Sequence, residues 1–84
     1  MPPDPARFDA GFALATAEAC EAAAARLAEV RRGQAADAAS ATDGWLGPHR
    51  DRFDRDLART CRHAAHLEVR LRRLADDLRE RARA

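Results

Sequence analysis

Apolar residues recur at steps of three and four over most of this chain, broken at one point near its middle. In the second half, Phe53, Leu57, Thr60, Ala64, Leu67, Leu71, Leu74 and Leu78 follow a sustained heptad alternation. All but Thr60 are apolar, so this row predicts a helix from about 48 to 82 with one packing seam. In the first half, Phe8, Phe12, Ala15, Ala19, Ala23, Leu27 and Val30 keep the same helical spacing. Alanine dominates there and has the best intrinsic helix propensity. Asp4 before Pro5 reads as an N-cap with proline at the first helical position, giving a helix from about 5 to 42. Gly33, directly after Arg31 and Arg32, could cap a helix end and split this run in two, but it costs only about 1 kcal/mol inside a helix, which favours one long helix.

Between the two runs lies Thr42-Asp43-Gly44-Trp45-Leu46-Gly47-Pro48. Two glycines and a proline this close together mark a turn, at 43–47. Gly44 suits the left-handed position after a helix end, and Pro48 suits the first turn of the next helix. The expected fold is therefore all-α: one domain spanning 1–84, two helices joined by a tight turn and forced antiparallel by it. A mostly alanine helix against a mostly leucine helix allows close approach. Two helices alone still leave apolar surface wet. A second hairpin, identical or homologous, completing a four-helix bundle would cover it.

Length sharpens that expectation, because 84 residues support only a modest core. Net charge is +1, which points to neither nucleic acid nor membrane. The halves differ in sign: residues 1–43 hold four Arg and seven acids, and residues 44–84 hold eleven Arg and seven acids. On the second helix, Asp51–Arg55, Arg52–Asp56, Glu68–Arg72, Arg73–Asp77 and Asp77–Arg81 stand at i,i+4. Each such pair is worth about 0.2–0.5 kcal/mol, and together they mark a face that meets water. No apolar run approaches the roughly 20 residues of a membrane span. The opening Met1-Pro2-Pro3-Asp4-Pro5 has neither the positive nor the apolar region of a signal peptide. Any export would use a signal-peptide-independent route.

Chemistry of catalysis is not expected. There is no Gly-rich phosphate loop, no nucleophile with its base and no carboxylate pair suited to acid–base work. Cys61, His63 and His66 do not read as a metal site, since Cys61 and His63 point about 200° apart on a helix and structural zinc wants four ligands. No cofactor is expected. Cys20 and Cys61 sit about nine residues out of register across the hairpin, beyond the roughly 7 Å reach of a disulfide. The arginines of the second helix suggest an alternative, a cytoplasmic coiled-coil regulator binding nucleic acid. Asp76, Asp77 and Glu80 interrupt them, and no aromatic is interleaved for base stacking.

Trp45-Leu46-Gly47 is the most informative tripeptide. The only Trp sits at the hairpin tip, where it can fold back over the end of the helices, and Gly47 permits the backbone this requires. A Trp buried there would cost about 3–5 kcal/mol to truncate. Phe53 follows eight residues later. In these features the chain resembles the Trp-x-Gly family, the small early-secreted-antigen-like substrates of type VII secretion systems. The resemblance implies a homo- or heterodimeric four-helix bundle without catalytic activity. It implies a protein exported by a type VII machine, or one held in the cytoplasm before export as companion to a larger effector. It assigns Trp45 and Gly47 to the turn motif. The apolar rows of the two helices, Phe8, Phe12, Leu27, Val30, Phe53, Leu57, Leu67, Leu71, Leu74 and Leu78, are the expected core and dimer seam. The family's export signal, a Tyr followed after three residues by Asp or Glu, is missing from a chain with no Tyr. The signal then belongs to a partner, or this copy is not itself exported.

Overall fold

The structure, a computed structural model, describes residues 8–84. Two helices pack against each other: α1, Ala10–Ala41, and α2, Pro48–Arg83. The proposed cap at Asp4 and Pro5 lies outside the described residues. The cap of α1 is Asp9, whose carboxylate accepts a hydrogen bond from the Phe12 backbone N–H at 3.0 Å. Gly33 lies inside an uninterrupted α1. The α2 helix starts on Pro48 with Gly47 as its cap and carries Arg81 and Arg83 in its last turn, where they complement the helix dipole.

The hairpin is a rod, 64 × 23 × 17 Å, with a radius of gyration of 19.1 Å. A globular chain of this length would have about 12 Å. The rod is one helix deep, so among the described residues no third element covers either face. Its exposed surface is 6865 Å², against about 4,900 Å² for a globular monomer of this mass.

The helices meet through alanine. Ala13, Ala17, Cys20, Ala24 and Ala28 are the buried residues of α1, and Ala75 lies opposite on α2, flanked by Leu71 and Leu78. This stripe is shifted from the one expected. Phe8, Phe12 and Val30 are exposed, Leu27 is half-buried, and the buried row runs beside theirs. On α2 the expected seam divides. Leu57, Ala64, Leu71 and Leu78 are half-buried against α1, whereas Phe53, Thr60, Leu67 and Leu74 are exposed. Size explains the shift: small side chains let the two backbones come close, and the bulkier ones are turned to the outside.

Ion pairs flank the alanine seam. Arg31 donates to both carboxylate oxygens of Glu68, at 2.9 and 3.3 Å. Glu21 accepts from Arg72 and Arg79, each at 3.0 Å, one on each oxygen. Glu68 and Arg72 therefore reach across to α1 instead of pairing with each other along α2. Arg50–Asp54 is an i,i+4 pair within α2. The Arg31 guanidinium, chiefly through its hydrogen bonds, holds the Glu68 carboxyl below its ordinary value of about 4.5, against an opposing effect of burial.

Candidate interaction surface

The turn is built by backbone geometry that only glycine adopts easily. Gly44 has φ +74° and Gly47 φ +109°. At Gly47 a Cβ would meet nothing within 4 Å, so the constraint there is conformational and not steric crowding. The buried Thr42 closes α1: its hydroxyl donates to the Ala38 carbonyl at 2.7 Å, and its own carbonyl accepts from the Trp45 N–H at 3.0 Å.

Arg50 ties the two sides together. Its Nη1 donates to the carbonyls of Thr42, at 2.6 Å, and Trp45, at 2.9 Å, while its Nε donates to Asp54 at 3.0 Å. A cation thus satisfies the end of α1, where the unpaired carbonyls and the helix dipole both favour positive charge. Sequence reasoning did not single out Arg50. The available signal was a cation in the first turn of one helix, directly after the C-terminus of the other.

Trp45 folds back onto α2, its ring 5.7 Å from that of Phe53 and tilted by 49°. This is the aromatic eight residues on. The indole is nevertheless 40% exposed, so within a single hairpin it lies along the helix start and does not plug a closed end.

Phe53 continues an apolar face. An open recess near the turn is lined by Ala38 and Ala41 of α1 and by Phe53, Leu57 and Thr60 of α2, with Gln34 and Asp37 at its edge. The next depression along the same side is lined by Leu27, Thr60, Ala64 and Leu67, with His63, His66 and Arg70 around it. Helical spacing puts Ala23, Ala19 and Phe12 on the continuation of the Leu27 side, and Leu74 on that of Leu67. At the far end Phe8 lies beside Arg81 and Ala82. Of the expected seam residues, Leu27, Leu57, Leu71 and Leu78 are half-buried at the inner edge of this side, Phe12, Val30, Phe53, Leu67 and Leu74 face solvent on it, and Phe8 precedes α1.

Cys20 is a buried free thiol beside Ala17 and Ala75, and Cys61 is a half-buried one. Among the described residues no group of three or more His, Cys, Asp or Glu side chains is placed to hold a metal ion. No described helix is long and apolar enough to cross a membrane.

These features define a two-helix hairpin with a glycine-shaped tryptophan turn and one uncovered apolar face. Comparison with protein families, curated proteins and solved structures finds no match.

Proposed function

We propose that this chain is a non-catalytic interaction module of the Trp-x-Gly type, pairing hairpin to hairpin in a four-helix bundle. In this reading it serves a type VII secretion system as a substrate or as the export partner of a larger effector. The observation that carries the reading is the uncovered face, on which Phe12, Leu27, Val30, Phe53, Leu67 and Leu74 lie on one side of a rod one helix deep. Exposed apolar patches of this extent mark association surfaces. The turn supports the family reading: Gly47 caps α2 in a conformation that disfavours any side chain, and Trp45 stacks on Phe53.

The ion pairs favour this reading over nucleic-acid binding. Arg72 and Arg79 direct their charge at Glu21, and Arg50 is committed to the turn. Binding to DNA or RNA with a steep salt dependence would reverse that preference. The direct experiment is to express the chain in matched strains with and without a working type VII machine. The expected result is a chain found outside the cell, or bound to an exported partner, only when the machine works. Equal amounts outside in both strains, or retention in the cell with no bound partner, would count against the proposal.

A further inference from the structure

The outer side of α2 carries a row of cations. Arg52, Arg55, Arg59, Arg62, Arg70 and Arg73, with His66 between them, follow steps of three and four residues. At 3.6 residues per turn they fall within about 80° of arc over about 32 Å. The residues of α2 that pack on α1, among them Leu57, Leu71 and Ala75, stand on the opposite side. All seven side chains of the row are exposed. Among the described residues none of the six arginines is ion-paired. The i,i+4 pairs expected of Arg52, Arg55 and Arg73 are therefore not made. Between Asp56 and Asp76 the only carboxylate of α2 is Glu68, and it is turned inward onto Arg31. Like charges at this spacing destabilise a helix slightly, so by itself the row works against the hairpin.

The pattern identifies what neutralises it. The mean step of the row is 3.5 residues, the repeat of a helix that winds around another helix. In such pairs, charges flanking the contact select a partner of opposite sign. Ala58 and the exposed Val69, with half-buried Ala65, run along one edge of the row and allow a second helix to approach closely. A long polyanion fits less well. Net charge is only +1, so no overall field draws it in. Asp51 and Asp56 stand beside the first two arginines, and Asp76, Asp77 and Glu80 follow the last, where they would repel phosphates running past either end. The row also lies about 100° around α2 from Phe53, Leu67 and Leu74. Covering the apolar face with another hairpin therefore leaves it open.

We propose that the outer side of α2 is a second interaction surface, which docks an acidic helix of a different protein, one with Glu or Asp in a row three and four residues apart. Each carboxylate then faces a guanidinium, whose planar fork can donate two hydrogen bonds to it. A second copy of this chain does not supply such a row, because Glu18, Glu21, Glu29 and Asp37 are scattered along α1.

The test uses the purified full chain and a labelled alanine-based helical peptide, as long as the row, with Glu at its spacing. A control peptide has the same composition with its Glu spread around the helix. Fluorescence anisotropy at low salt should show the first peptide binding several-fold more tightly than the control, with the affinity falling as salt is raised. Equal affinity for the two peptides, or binding of neither, overturns the proposal. Tighter binding to a short DNA duplex than to the Glu-row peptide overturns it in favour of a phosphate ligand. Arg59→Glu, Arg62→Glu and Arg70→Glu together should abolish binding of the Glu row and confer binding of a peptide with Arg in its place. All three positions are exposed, so helicity by circular dichroism should be unchanged. A helical variant that loses the Glu row without gaining the Arg row contradicts the charge match.

Discussion

Two glycines in this chain have equal space and opposite requirements. Neither Gly33 nor Gly47 has any atom within 4 Å of where a Cβ would stand, yet only Gly47 has a positive φ, +109°. Gly47→Ala should destabilise the hairpin by about 1–3 kcal/mol, the usual cost of holding a side-chain-bearing residue in such a conformation. Gly33→Ala should stabilise it by about 0.5–1 kcal/mol, because alanine has less backbone entropy to lose in a helix interior. Urea unfolding of the two variants side by side checks both signs. Arg50→Ala should cost about 1–2 kcal/mol, since its charged donors serve the carbonyls of Thr42 and Trp45 at once. The turn itself was legible in the sequence because glycine and proline constrain the backbone locally. Arg50 was not, because its role depends on where the preceding helix ends in space.

At the scale of the helices, the hairpin's own core was the less legible part. Twenty of the 32 residues of α1 are alanine or another apolar residue, spread around the helix, so periodicity alone does not fix which side faces α2. Reading size as burial put Phe12, Leu27 and Val30 inward, whereas close helix approach selects Ala17, Ala24 and Ala28. Glu68 was assigned to the outer face of α2 because it is charged. It is buried because Arg31 on the facing helix meets it with two hydrogen bonds. This pair gives a pH signature. The folded Glu68 has a lowered pKa, so its stabilisation is complete above the ordinary glutamate value of about 4.5 and is lost as pH falls through its own lower value. Glu68→Gln should be less stable than the parent at neutral pH and should fall less steeply in the acid range below 4.5. Urea midpoints measured across that range decide it; parallel curves would mean that the Arg31 pair does not couple to folding.

For the molecule as a whole, stability and association are the same problem. A buried methyl contributes about 0.8 kcal/mol, less than the roughly 1–2 kcal/mol that ordering one residue's backbone costs. A seam made mostly of alanine therefore leaves an isolated hairpin little margin, and the larger apolar side chains stabilise only what covers them. A folded state that includes a partner is stabilised by mass action, so its melting temperature rises with protein concentration. The chain should show that rise in dilution-series melts. Val30→Asp, a change at an exposed position of the single hairpin, should abolish the rise and lower melting most at high concentration, where the parent is paired. Trp45→Ala should behave similarly. Its half-exposed indole contributes to the lone hairpin chiefly through Phe53, so the full 3–5 kcal/mol of a buried aromatic is expected only where a second hairpin completes its surroundings. A concentration-independent melt for the parent, with Val30→Asp unchanged from it, would mean that the apolar face has no role in stability and that the alanine seam suffices by itself.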